Sequence, residues 1–165
     1  MRVLYLGLFS FLFMTGCGSS SYDGEPSSPE SKEVKKVIKA FTDFYAEKNT
    51  KILKEMFSDE PEAIVYGLGN EMWKGKETIR KKMEKQMEDV EDSNIEVRDQ
   101  VVKVAGNTAW FSQRGDWGYD FKGQRQNLEG VRITGVLLNQ DGKWKIVQWH
   151  TSYPVRTVQQ YQQQE

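Results

Sequence analysis

The chain has 165 residues, with 23 Lys and Arg against 24 Asp and Glu and a formal net charge of −1 at pH 7, so composition gives no electrostatic case for nucleic-acid binding. A single cysteine and a single histidine exclude an internal disulfide and a His or Cys cluster for zinc. The sequence implies no cofactor, and its length suits one domain with a real hydrophobic core.

Arg2 precedes an apolar run from Val3 to Met14, followed by "TGCGSSS". A charged start, an apolar segment too short to cross a bilayer and small residues after it describe a secretory signal over residues 1–16. Met14, Thr15 and Gly16 ahead of Cys17 resemble the lipobox of bacterial lipoproteins, with methionine where leucine is commoner. The resemblance implies cleavage before Cys17, diacylglycerol on its thiol and a fatty acyl group such as palmitate on the new amino terminus. The plain alternative is a secretory signal in which Cys17 is an ordinary small residue. Each buried methylene adds about 0.8 kcal/mol, so two or three acyl chains anchor a protein stably to a membrane. Gly18 is not the aspartate associated with inner-membrane retention, so the expected location is the cell envelope, at the outer membrane if the source is Gram-negative. Residues 17–31 are rich in Ser, Gly and Pro and read as a stalk.

The folded domain is expected over 32–154. Val34, Val37, Ile38, Phe41, Phe44 and Tyr45 fall at helical spacing, with Ser28 and Pro29, or Ser31, able to start the helix. Ile52, Leu53, Met56 and Phe57 predict a shorter second helix, "AIVYG" a strand, and "GKETIRKKMEKQMEDV" a third helix with Ile79, Met83, Met87 and Val90 on one face. The period then changes to two. "NIEVRDQVVKV", "NTAWFSQRGDWGY", "RQNLEGVRITGVLLN" and "KWKIVQWHTS" predict a meander of strands, and helices followed by strands is an α+β plan. Residues 155–165 form a glutamine-rich polar tail.

"MWKGKETI" entering the third helix, "GNTAWFS" at a hairpin, and Arg132, Thr134, Trp144, Ile146, His150 and Ser152 in the last two strands resemble the nuclear transport factor 2-like superfamily. The best match there is its SnoaL-like group. The resemblance implies a cystatin-like cone: three N-terminal helices packed in a curved antiparallel sheet, with a pocket at the wide end. Its members include isomerases, cyclases, dehydratases and pure assembly modules, so function has to come from the site.

Strict alternation places Trp144, Ile146, Gln148, His150 and Ser152 on one face of the last strand, beside Arg132, Thr134 and Val136. That face predicts a ligand pocket of Arg132, Thr134, Gln148, His150 and Ser152, with Tyr45, Tyr66, Trp73 and Trp110 as walls. A guanidinium beside an imidazole would favour an anion. His150 is either a pocket residue, a general base or a structural histidine bonded to Ser152 or Thr134. Asp43, Glu71 and Asp116 are the available carboxyls, and Asp116 is the favoured catalytic partner of His150. Both faces of the sheet carry apolar residues, which predicts that helices cover one and that a second subunit, in a homodimer, or the tail covers part of the other. The expected function is binding of a small molecule or oligomeric assembly by a tethered lipoprotein; the alternative is an isomerase, dehydratase or hydrolase acting on a small organic acid or lipid-like molecule.

Overall fold

The computed structural model describes residues 28–154; the signal, Cys17, most of the stalk and the tail lie outside the described residues. Helix α1 spans Pro29–Thr42 and starts inside the segment read as stalk. Ser28 Oγ accepts from the Ser31 amide at 3.2 Å, and Pro29 occupies the first turn, where no amide donor is needed. Val34, Ile38 and Phe41 form its buried stripe. The chain then breaks into α2 (Phe44–Glu47), a 3-10 turn (Thr50–Ile52) and α3 (Leu53–Met56). Lys48 adopts a left-handed conformation, φ 49°, which ends α2. Helix α4 runs Lys76–Glu88, burying Ile79 and Met83.

The six strands are β1 (Ile64–Tyr66), β2 (Met72–Lys74), β3 (Val90–Ala105), β4 (Thr108–Phe121), β5 (Gln124–Gln140) and β6 (Lys143–Ser152). They form one sheet in the order β2-β1-β6-β5-β4-β3. Three details differ from expectation. Val90 opens β3 instead of closing the helix face, and "MWK" is an edge strand before α4. Strand β1 runs parallel to β6 while the other pairs are antiparallel, so the curved sheet is mixed.

The decisive local feature is in β6. Leu137 pairs with Ile146, yet the next residue back along β5, Val136, pairs with Gln148. Val147 is therefore an extra residue, and an extra residue reverses the facing of everything beyond it. Trp144 and Ile146 are buried, and so are Trp149 and Thr151. A second bulge in β5 sets Glu129 and Gly130 opposite Asp116. Gly130 has φ 72°, and its amide donates to Asp116 Oδ1 at 2.9 Å.

The core fills the space between the inner sheet face and the helices. Phe41 stands edge-on to Trp149 with centroids 4.3 Å apart and edge-on to Phe57 at 5.4 Å. Phe111 and Trp149 lie 5.0 Å apart. Gln113, buried on the same face, donates to Thr42 Oγ1 at 3.3 Å and accepts from Gln100 at 2.7 Å, which satisfies a polar side chain inside an apolar layer.

Candidate functional site

Beyond Gly115 the inner face of β4 continues as Trp117, Tyr119 and Phe121, and the helices do not fill the space over this half of the strand. A cavity of about 240 Å³ remains, closed by Tyr45, by Met83 and Gln86 of α4, and by the β1–β2 hairpin with Leu68, Glu71 and Trp73. The floor is Trp149 and Thr151. Its aromatic wall is continuous: Tyr45 lies 5.8 Å from Trp117, and Trp117 lies 4.7 Å from Tyr119. The indole of Trp117 donates to Ser93 Oγ at 3.0 Å, which fixes the ring.

Three kinds of polar group reach this apolar space. The Tyr45 hydroxyl donates to Gln86 Oε1 at 2.5 Å. Burial pushes the Tyr45 phenol well above its ordinary value, and the negative charge of Glu71 adds to the effect. Tyr119 is raised for the same two reasons in the same order. Glu71 itself is held by the Gly69 amide, which donates to Oε2 at 2.7 Å, while the Gly67 amide donates to the Glu71 carbonyl at 3.0 Å. A Cβ at Gly67 would sit 2.8 Å from Oε2, so this carboxylate position needs glycine there. Among the described residues Glu71 is the one charged side chain bordering the cavity.

The residues expected to form the site divide. Tyr45, Tyr66 and Trp73 border the cavity, although the Tyr66 ring also packs edge-on against His150 at 5.8 Å. Arg132, Thr134 and His150 are exposed, and they share the outer face with Gln148, Ser152 and Trp110, which is 45% exposed. Asp116 is also on that side, paired with Arg98 and bonded to Gly130. The expected pocket of Arg132, Thr134, Gln148, His150, Ser152 and Trp110, and the catalytic pairing of His150 with Asp116, are therefore corrected: among the described residues no imidazole or guanidinium borders the cavity. The bulge at Val147 is the cause for β6. For β5 the cause is that Val131, Ile133 and Leu137, not Arg132 and Thr134, face the core.

Sequence reasoning passed over Trp117, Tyr119 and Phe121, whose period-two aromatic stripe was the available signal, and Gln86, which offered none. Asp43, the remaining carboxyl, pairs with Lys39 on α1. A larger groove of about 850 Å³ lies between α1, α3 and the β5–β6 hairpin, but Glu30, Glu33, Lys36, Lys51, Glu55, Lys143 and Lys145 contribute much of its wall. Solvated charges of both signs make a poor small-molecule site, and the aromatic cavity is the better candidate. Among the described residues no group of three or more His, Cys, Asp or Glu is arranged to hold a metal ion.

A family model described as a SnoaL-like domain matches residues 34–156. No curated protein matches the sequence significantly. Similar solved structures include a Salmonella enterica protein of the nuclear transport factor 2-like superfamily, 19% identical, covering 76% of this chain and 92% of that one with a TM-score of 0.67. A Caulobacter vibrioides protein with a cystatin-like fold is 14% identical, covers 79% and 94%, and has a TM-score of 0.66. A ketosteroid isomerase-like protein from Erwinia carotovora atroseptica is 15% identical, covers 78% and 99%, and has a TM-score of 0.65. At these identities the likeness is one of fold.

Proposed function

The chain belongs to the SnoaL-like domain family, and from that premise we propose that it is a small-molecule-binding module whose ligand occupies the aromatic cavity beside Tyr45, Trp73, Trp117 and Tyr119. The observation that carries this reading is the cavity itself: apolar walls with a few convergent polar groups are what a binding site needs, the walls for affinity and the groups for orientation. At about 240 Å³ it lies below the ~300–1,000 Å³ typical of drug-sized sites, so the ligand is a small one. The guanidinium on which an anionic ligand was expected stands on the opposite face.

The test is a comparison of the full chain with Leu68→Trp, which adds bulk at a half-buried position on the mouth of the cavity, with circular dichroism confirming that the variant folds. Small molecules that copurify with the unaltered chain, identified by mass spectrometry, should be lost from the variant. Equal recovery from both would place the ligand elsewhere.

One observation favours a second, enzymatic reading. Glu71 borders the same cavity as two phenols that stay protonated, Tyr45 and Tyr119, and a carboxylate base beside a phenolic donor is a minimal set for the proton transfers of an isomerase or dehydratase. Turnover of a copurifying compound that Glu71→Gln abolishes without loss of binding would establish it.

Two further parts of the proposal rest on the sequence and on the outer sheet face. Cys17 serves as the lipid attachment point, so the domain is tethered to a bacterial membrane in the cell envelope; Cys17→Ser should release the protein from the membrane fraction. The outer face carries Trp110 and Val101, 45% and 44% exposed, and it pairs with a second copy of the chain.

A further inference from the structure

Small apolar cavities differ in the charge they select, and that choice is legible here. All of the rings in the continuous wall, Tyr45, Trp117 and Tyr119, present π-faces or edges to the same space, with Trp73 and Phe121 at the rim. Neither Lys, Arg nor His borders the cavity among the described residues. Glu71 does, and among the described residues no ion pair engages it and its carboxylate accepts from the Gly69 amide alone.

Glu71 is half-buried, so its carboxylate sets a negative charge at the edge of an aromatic space, where a bound cation would meet it. Lys122, beside Phe121, does not supply the opposite charge. Lys122 stands 5.4 Å from the centre of the Phe121 ring and pairs with Asp89 at 3.6 Å, so its charge is answered locally and it does not wall the cavity.

Building on the small-molecule reading above, we propose that the cavity selects a small organic cation, an ammonium group on an apolar body, with the charged head against Glu71 and the wall of Tyr45, Trp117 and Tyr119. Aromatic faces attract an ammonium through their quadrupole, most strongly when the site is desolvated, and a caged quaternary ammonium is a recurrent use of that attraction. Size agrees. A volume of about 240 Å³ equals the liquid share of roughly eight waters, which suits a choline-sized molecule. The phenols fit the role as well: both are held in the protonated, neutral form, so they add no charge to compete with the ligand.

The test uses three molecules of nearly one shape: choline, its neutral isostere in which carbon replaces the quaternary nitrogen, and the anion tert-butylacetate. Binding to the full chain is followed by the indole N–H resonance of Trp117, assigned with Trp117→Phe. Choline should bind about tenfold more tightly than its neutral isostere, and the anion least. In Glu71→Gln, which keeps an acceptor for the Gly69 amide, that preference should fall most of the way to parity. If the neutral isostere binds as well as choline, or the anion binds best, selection of a cation is overturned while the small-molecule reading stands. If none of the three shifts the Trp117 signal, selection of a choline-sized cation is overturned, and the copurification test decides the small-molecule reading separately. The comparison on the unaltered chain decides the matter even if the variant folds poorly.

Discussion

Neighbouring residues on β6 should respond in opposite ways to truncation, and the contrast tests which face of the sheet is the core. Trp149 is 4% exposed, packs against Phe41 and Phe111 at 4.3 and 5.0 Å, and donates its indole N–H to Thr151 Oγ1 at 3.1 Å. Trp149→Ala removes all of this. Truncating a buried tryptophan costs ~3–5 kcal/mol, and the lost hydrogen bond lies within that figure. Against a total stability of ~5–15 kcal/mol, this is a severe loss. With a midpoint shift of ~4 °C per kcal/mol for a domain of this size, melting should fall by ~12–20 °C. His150 is exposed and has one ring contact, the edge-on approach to Tyr66. His150→Ala should cost ~1 kcal/mol or less. Urea denaturation followed by far-UV circular dichroism measures both. A His150→Ala variant as unstable as Trp149→Ala, or a Trp149→Ala variant within ~1 kcal/mol of the parent, would refute the assignment of faces and, with it, the location of the cavity.

Other outcomes follow from named contacts. Tyr45, whose ordinary value is 10.0, is pushed up by burial; above about pH 10 the unfolded state gains charge that the folded state resists, so stability should fall as pH rises, by at most ~1.4 kcal/mol per pH unit for each such phenol. Tyr45→Phe should flatten this alkaline limb in urea melts, leaving the smaller part contributed by Tyr119. Gly135→Ala should destabilise by ~1–3 kcal/mol, because the new Cβ would lie 2.5 Å from Phe111 Cε1 and 2.7 Å from the Gln148 carbonyl oxygen; a melt unchanged from the parent would contradict the packing. If the outer face pairs two copies as proposed, the unaltered chain should sediment as a dimer and Trp110→Glu as a monomer in analytical ultracentrifugation, with little change in melting temperature; a monomeric unaltered chain would refute the pairing.

The fold was legible because periodicity is cumulative. Val34, Ile38 and Phe41 repeat often enough to define α1, Ile79 and Met83 define α4, and long period-two runs define β3 to β6. Short elements were harder. "MWK" offers too little pattern to separate a three-residue edge strand from the start of a helix, and β1 pairing parallel to β6 is a long-range choice that no local pattern encodes. The site failed for a sharper reason. Facing along a strand is a parity, and one extra residue at Val147 inverts it. His150 and Trp149 exchanged faces as a result, and the pocket was drawn on the wrong side of the sheet.

A bulge is invisible to alternation, but its consequences are constrained by volume. Phe111, Gly135 and Trp149 are cross-strand partners in one row across β4, β5 and β6, all on the inner face. Two large rings 5.0 Å apart meet over the strand between them, and a side chain there would collide with Phe111 and the Gln148 backbone. Glycine in "RITGVLL" thus marks the parity that must face the core, the parity of Val131, Ile133 and Leu137. The close packing over Gly135 from both neighbouring strands fixes the facing of β5 and turns Arg132 and Thr134 outward. The large aromatic residue paired with Gly135 from β6 must then point inward, which selects Trp149 over His150. The same reasoning carries to the mouth of the cavity, where Gly67 and Gly69 make room for the Glu71 carboxylate. In both places a missing side chain identifies where a neighbouring one has to be, and the group so positioned at the mouth is the charge that the proposed ligand answers.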